Sequence, residues 1–221
     1  MNRGILIAGN ESPLFSALCV EASKRVEAHA AAFVPGDQTA ETPQDQNAAN
    51  GQILLDWNSS SPISARTLVL SALNKMERVD EAVLVCVPPA YRKTAEELSP
   101  AEIDKLIDSN IKGWFFLVRE LSTLFRSQER GMLSLIVPEL NTAAKDDVPD
   151  LIGPAAVSVF RSLAQRVLIS SMNAPYGAMG FSSSEPGEES AFAAYVFKTV
   201  EEGRRNSGKW YKYGKLGLFG R

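Results

Sequence analysis

The sequence is poor in the residues that metal sites and nucleophilic catalysis use. It has one histidine, His29, and two cysteines, Cys19 and Cys86, each within an apolar run. Their separation gives no zinc-ligand spacing and no obvious geometry for Ser-His-Asp catalysis. We therefore predict no metal site, a core histidine whose hydrogen bonds are satisfied, and two buried thiols in a reducing cytoplasm.

Long apolar segments and an excess of positive charge are also missing. No window approaches the ~18 consecutive apolar residues that cross a bilayer, and the net charge is −3 over 221 residues. We therefore expect neither a membrane nor a nucleic acid as partner. Strand-like sequence starts by Gly4, which predicts that no signal or transit peptide is present, and we expect a cytoplasmic protein.

Short apolar β-runs alternate with longer helical patterns along the chain. Continuous apolar strands that alternate with helices indicate a doubly wound, Rossmann-like α/β domain with a parallel sheet covered on both faces. The length favours a single domain, 1–221, with an exposed polar loop at 35–51 and a last strand and tail at 206–221. We predict strands at GILIA, AHAAAFV, QILLDW, EAVLVCV, MLSLIV, VLISSM and KWYKYG, and helices at 13–27, 63–78, 100–128, 151–166 and 188–205.

Three stretches, in this order, resemble parts of the short-chain dehydrogenase/reductase family. "LLDWN" places Asp56 on the aspartate that ends strand three and contacts adenine in that family. "DSNIKGWFF" resembles the helix-four motif, in which Asn110 falls on the asparagine that kinks the helix and supports a proton relay. "SGKWYKYGKLGLFG" resembles the closing strand and C-terminal tail. The resemblance covers nearly the whole chain and implies the strand topology of that family.

The cofactor turn of the family is mostly lost from this sequence. That turn carries three glycines spaced G-x-x-x-G-x-G, of which Gly9 keeps the first, while Pro13 and Phe15 stand at the other two. Proline has no N–H to offer a pyrophosphate, and the phenylalanine ring stands where the family tolerates no side chain. A plain strand–turn–helix connection is favoured, and we expect no cofactor in this chain.

The catalytic serine, tyrosine and lysine of the family are missing as well. Their positions fall near Pro138, Pro149 and Gly153, and no tyrosine or histidine occurs between residues 92 and 175. Proline and glycine can neither transfer a proton nor polarise a substrate oxygen. We therefore expect no catalytic residue here. The family positions that remain are Asn110 in the helix and, as vestiges of the cofactor site, Gly9 and Asp56.

The predicted helix 100–128 is too apolar to cover only one face of a sheet. Its apolar residues occupy two sides of the helix, and small residues follow in the next helix. In the resembled family these two helices pack against the same pair of a second subunit. We therefore predict a subunit interface at Ile111, Trp114, Val118, Leu121, Phe125, Ala155, Ala156 and Val159.

Three hypotheses about function follow. The first is a non-catalytic subunit that forms a heterodimer or heterotetramer with an intact, NAD-dependent hydroxyacyl-CoA dehydrogenase of the resembled family. Such bacterial enzymes exist, and one oxidises an aryl-hydroxymethyl-succinyl-CoA. The second is a stand-alone enzyme with an altered mechanism that uses Asn110 and the acidic segment "KDDVPD". The third is a ligand sensor that uses the vacated cleft.

Overall fold

The computed structural model describes residues 3–34, 51–139, 150–203 and 207–214. Seven parallel strands form one sheet in the order β3-β2-β1-β4-β5-β6-β7, which confirms the doubly wound α/β fold. Of the predicted loop 35–51 only Gly51 is described, and of the predicted last strand and tail only 207–214. The strands are β1 (Ile5–Asn10), β2 (His29–Val34), β3 (Gln52–Asp56), β4 (Glu81–Val85), β5 (Met132–Pro138), β6 (Gly177–Ser183) and β7 (Trp210–Tyr213).

Helices cover both faces of this sheet, as the apolar strands require. They are α1 (Pro13–Ser23), α2 (Pro62–Met76), α3 (Pro100–Ile107), α4 (Gly113–Ser127), α5 (Ile152–Ser171) and α6 (Glu189–Glu201). A π-helical turn (Asp108–Lys112) joins α3 to α4, and a short 3-10 helix (Ala95–Glu97) precedes α3. The predicted helices are confirmed, although α1 and α6 end short of residues 27 and 205.

The core divides into two layers because successive side chains of a strand point to opposite faces. In β1, Leu6 and Ala8 pack with residues of α2, α4 and α5. Ile5 and Ile7 pack on the other face with residues of α1 and α6. This arrangement leaves the carboxyl ends of the strands as one open edge, where loops of neighbouring strands meet.

The predicted strand VLISSM (167–172) is wrong. Residues 167–171 are the end of α5, and Met172 is its C-cap. Val167 and Leu168 are buried, whereas Ile169 and Met172 are 59% and 70% exposed, as on one side of a helix. An apolar run of this length does not distinguish a strand from a helix end.

The true sixth strand, β6, escaped prediction because small residues replace the usual β-branched ones. Its sequence is GAMGFSS. A Cβ at Gly180 would collide with the ring of Trp210 in β7, so only glycine admits the tryptophan there. Because close packing between β6 and β7 requires glycine, β6 lacks the β-branched residues that usually indicate a strand.

Five of the eight predicted interface residues lie inside the core of this chain. Trp114 packs edge-to-face with Trp57 and Phe160, at centroid distances of 5.2 and 4.9 Å. Trp114 thus packs against other elements of the same chain, whereas Phe115, next to it on the long helix, is 48% exposed. Ile111 and Val159 are half-buried and Ala155 is exposed. The residues buried in the chain's own core are Trp114, Val118, Leu121, Phe125 and Ala156.

Candidate functional site

A cleft of about 240 Å³ opens at the carboxyl edge of the sheet. It lies beside the point where the strand order reverses, between β1 and β4, which is where open α/β sheets bind their ligands. Its walls come from the turn before α1, the segments that follow β4, β5 and β6, and the start of α6. The lining residues are Ser12, Pro13, Leu14, Val87, Pro138, Glu139, Ser183, Ser184, Glu185, Pro186, Glu189 and Phe192.

The N-terminus of α1, which borders this cleft, has few free donors. Ser12 is the N-cap, and its Oγ accepts a hydrogen bond from the Phe15 N–H at 3.2 Å. Pro13 is the first helical residue and has no N–H. Two of the first three helical residues therefore have no N–H left for a phosphate, although helix N-termini usually bind anions through these groups.

Packing alone explains why position 9, near the end of β1, is a glycine. A Cβ there would lie 2.7 Å from the Val85 carbonyl oxygen and 3.2 Å from Cδ2 of Phe15. The Phe15 side chain is itself buried. The Phe15 ring thus occupies the space beside the Gly9 backbone that a phosphate-binding turn would leave open. The residues of this turn therefore do not fit a dinucleotide.

The described lining of the cleft includes several acidic side chains. Three glutamates line it, Glu139 after β5, Glu185 after β6 and Glu189 in α6, and no lysine or arginine does so among the described residues. Lys212 lies outside the lining, with its Nζ 3.2 Å from Oε1 of Glu139. The described lining thus carries a carboxylate on three of the segments that form the cleft, and one of these carboxylates is paired with Lys212.

Asn110 lies in the π-helical turn, at the predicted kink of the long helix. Its Nδ2 donates to the Leu106 carbonyl and to Ser109 Oγ, both at 3.0 Å, and the residue is buried. Gly113, three residues later, approaches Ser59 so closely that a Cβ would lie 2.5 Å from the Ser59 Cβ. The asparagine and glycine of this motif therefore have structural roles in shaping the helix.

No protein-family model and no curated protein matches the sequence. Solved structures do match. A structure assigned as a 3-oxoacyl-reductase from Bacillus thuringiensis has a TM-score of 0.74 at 13% identity, covering 100% of both chains. Serine dehydrogenase from Escherichia coli has a TM-score of 0.71 at 11% identity, covering 95% of this chain and 96% of that one.

A third matching structure is described as a short-chain dehydrogenase/reductase. A double mutant of a short-chain dehydrogenase/reductase from Serratia marcescens has a TM-score of 0.70 at 12% identity, and 96% of each chain is covered. The chain has the short-chain dehydrogenase/reductase fold. At these identities the likeness concerns the fold alone.

The resemblance places three catalytic residues at Pro138, Pro149 and Gly153; of these, Pro138 and Gly153 are described, and neither carries an acid–base group. Pro138 ends β5 and lines the cleft. Gly153 lies in the first turn of α5, where its N–H donates to Oδ1 of Asp150 at 2.9 Å. A Cβ on Gly153 would collide with that carboxylate. The glycine therefore allows Asp150 to cap the N-terminus of α5. The third position, Pro149, lies outside the described residues.

A tyrosine–lysine pair that the sequence analysis missed lies in the segment after β4. Tyr91 Oη donates to Oε1 of Glu102 at 2.6 Å, and Lys93 Nζ binds the same oxygen at 2.6 Å. The hydrogen bond to Glu102 raises the pKa of Tyr91, which opposes its use as a base. Neither residue lines the cleft. The pair fastens this segment to α3 and went unnoticed because its spacing is not that of the family motif.

The remaining candidate residues do not assemble into a site. Asp56 is exposed at the end of the edge strand β3. Cys19 and Cys86 are buried, as predicted, and burial raises the pKa of each thiol to about 12. Throughout the described part of the chain, no three potential metal ligands cluster, and no helix is long and apolar enough to cross a membrane.

The prediction for His29 is half right. The side chain is buried in β2, at 1% exposure, as expected of a core strand. Neither Nδ1 nor Nε2 has a hydrogen-bond partner among the described residues, so the expectation of satisfied hydrogen bonds is wrong. Burial lowers the pKa of the imidazole because it disfavours the charged form.

Proposed function

We propose that this chain is a non-catalytic subunit of a heteromeric short-chain dehydrogenase. It would stabilise or shape a catalytically intact partner of the same fold, which binds NAD and oxidises a hydroxyacyl-CoA. The observation that carries the proposal is the closure of the β1–α1 turn, where Phe15 packs on Gly9 and Ser12 caps the helix. A chain that binds no dinucleotide at this turn has no hydride acceptor of its own, so the dehydrogenase chemistry is assigned to the partner.

The catalytic positions support the same proposal. Pro138 and Gly153 stand where the resemblance expects a serine and a lysine. Pro138 ends β5, and the Gly153 N–H donates to the Asp150 carboxylate that caps α5. The altered-mechanism alternative finds no support in Asn110, whose side chain binds the backbone of its own helix. Of the acidic segment 145–150 only Asp150 is described, and its carboxylate caps α5.

A surface suited to a partner remains on the long helix. Ile103, Ile107 and Phe115 are 36%, 36% and 48% exposed, and half-buried Ile111 lies between them in sequence. Residues four apart follow one another along one side of a helix. We call these four residues the α3–α4 apolar row. Large exposed apolar residues in a row are typical of protein contacts, and this row replaces the buried residues as the proposed interface.

The direct test of this proposal is pairing with a defined partner. The chain is co-expressed with an intact short-chain dehydrogenase encoded by a neighbouring gene, and the mass of the purified complex is measured by light scattering. We expect a stable complex that contains both chains, and dehydrogenase activity that the partner alone lacks or loses rapidly. Two proteins that purify separately, with full activity in the partner alone, would contradict the proposal.

The second candidate is a stand-alone ligand-binding protein. The cleft favours it, since about 240 Å³ of concave space persists although its residues do not fit a dinucleotide. This candidate predicts ligand binding without any partner of the same fold. The same co-expression experiment therefore distinguishes the two candidates, because only the first predicts a stable complex with the dehydrogenase.

A further inference from the structure

A second pocket, of about 200 Å³, lies on the sheet face that α1 covers, beside the amino ends of β2 and β3. One side of α1 forms one wall. The first residues of the two strands, His29 and Gln52, are neighbours in the sheet and form the other wall. We call this space the α1–β2 pocket, and its described lining consists of Phe15, Ser16, Cys19, Val20, Ser23, His29 and Gln52.

His29 has a buried imidazole with unused hydrogen-bonding capacity. The residue lines the α1–β2 pocket and is 1% exposed, and neither Nδ1 nor Nε2 has a partner among the described residues. A polar group that is buried without a partner costs free energy, and most such groups in proteins are therefore hydrogen-bonded. The neutral ring has one nitrogen that donates and one that accepts. A ligand in the pocket would supply the partner that the described protein residues do not.

The rest of the described lining favours an uncharged ligand. It contains no aspartate, glutamate, lysine or arginine. Burial lowers the pKa of His29 and raises the pKa of the Cys19 thiol to about 12, so both groups favour their neutral forms at pH 7. A charged ligand would lose its hydration here without meeting an opposite charge in the described lining. Phe15 and Val20 instead supply apolar surface for a hydrocarbon body.

The volume of the pocket suits a single ring, since protein cavities of about 150 Å³ accept benzene. We infer that the α1–β2 pocket binds a small neutral phenol, whose ring contacts Phe15 and Val20 and whose hydroxyl group donates to the imidazole of His29. A phenol is neutral at pH 7 because its pKa is about 10. The inference concerns the isolated chain, and it depends neither on the cleft at the carboxyl edge nor on the pairing proposed above.

Phenol, toluene and benzoate test the inference in the full-length, untagged protein at pH 7. His29 is the only histidine, so the imaging of its ring nitrogens by nitrogen-15 NMR gives one unambiguous set of imidazole signals. We expect phenol to shift the signal of one ring nitrogen saturably and to bind about tenfold more tightly than toluene, which has the same size and no donor. Benzoate should not saturate. Equal affinities for phenol and toluene, or an unmoved imidazole signal, would overturn the inference. Ring nitrogens that are already hydrogen-bonded in the free protein would also overturn it, because water or another part of the chain would then be the partner.

Variants then assign the binding to this pocket. His29→Leu removes the acceptor, and we expect its affinity for phenol to fall to its affinity for toluene while the circular dichroism spectrum stays unchanged. Val20→Ala, at a 58% exposed position of the lining, should weaken phenol and toluene alike, by about threefold. Leu70→Ala is the matched control, because Leu70 is an exposed apolar residue of α2 outside the lining, and it should change neither affinity. Equal loss in Val20→Ala and Leu70→Ala, or an undiminished preference for phenol in His29→Leu, would place the binding elsewhere and refute the assignment. Should His29→Leu fail to fold, the imidazole signal and the comparison of Val20→Ala with Leu70→Ala decide the question.

Discussion

The Phe15 ring lies against the backbone of Gly9, so close that a Cβ on the glycine would be 3.2 Å from Cδ2. This contact gives the retained glycine a role in packing.

Gly9→Ala should destabilise the protein in the absence of any nucleotide. The added methyl group meets the Val85 carbonyl oxygen as well as the Phe15 ring, and both are held by the core. We expect a loss of about 1–3 kcal/mol in the free energy of unfolding, measured by urea denaturation. Ser16→Ala, at an exposed position of the same helix, is the control and should change stability little. An unchanged Gly9→Ala variant would mean that the glycine is not held by packing.

Ala156 and Phe115 separate the core of the subunit from its proposed interface. Ala156 is fully buried within the chain, so Ala156→Glu should prevent folding and cannot report on assembly. Phe115 is about half-exposed in the α3–α4 apolar row, so Phe115→Asp should leave the circular dichroism spectrum unchanged and abolish pairing with the partner.

Two further variants control this test of the interface. Thr123→Asp introduces the same charge at an exposed position of α4 outside the row, and we expect it to pair normally. Ala155→Glu, at an exposed position of α5 predicted to lie in the interface, should weaken pairing. Normal assembly of Phe115→Asp would place the interface elsewhere.

His29 should make stability depend on pH. Burial depresses its folded-state pKa below the usual ~6.5, so the neutral form is favoured in the folded protein. Above pH 6.5 this group costs nothing, because it is neutral in both states. As the pH falls below 6.5 the unfolded chain gains a proton that the folded chain resists, and stability falls until the folded pKa is reached.

The measurement is the free energy of unfolding of the wild type and of His29→Leu between pH 7.5 and 5. His29 is the only histidine of the chain, so other residues contribute no histidine titration. We expect the difference between the two proteins to grow in favour of the variant as the pH is lowered. A constant difference would show that the imidazole is protonated equally in both states.

Glu77 ends α2 in the left-handed region, with a φ of 63°. For a residue with a Cβ this conformation costs about 1–2 kcal/mol, whereas glycine loses about 0.5–1 kcal/mol through its freer unfolded chain. Glu77→Gly should therefore stabilise the protein by about 0.5–1 kcal/mol. Lys75→Gly, in the last turn of the same helix, should instead destabilise it by about 1 kcal/mol. Thermal unfolding measures both variants against the wild type, and we expect a higher Tm for Glu77→Gly and a lower Tm for Lys75→Gly.

The sequence predicted the order of strands and helices because apolar runs such as EAVLV and MLSLIV are continuous and well separated. It failed at β6, where close contact with Trp210 requires glycine and removes the usual strand signal. It also failed to distinguish burial within the subunit from burial between subunits, since Trp114 is apolar in either case. Whether an apolar residue is buried within or between subunits depends on which helix or strand lies next to it. The periodicity of the sequence contains no information about that neighbour.

The candidate site was predictable in part. The losses at positions 13, 15, 138 and 153 were visible as residue types, because proline, phenylalanine and glycine cannot act as donors or bases. The three glutamates of the cleft were not, since residues after β5 and β6 converge only through the parallel sheet. The hydrogen bonds from Tyr91 and Lys93 to Glu102 depend on the path of a loop, which no pattern in the sequence encodes.

The central claim is that the β1–α1 turn does not bind a dinucleotide, and calorimetric titration of the isolated chain tests it most directly. NAD, NADH, NADP and NADPH are each titrated into the wild type at pH 7. Because Pro13 lacks an N–H, the Phe15 N–H is bonded to Ser12 and the cleft carries three carboxylates, we expect no saturable heat for any of the four. Saturable binding of one nucleotide at micromolar concentration would contradict the account.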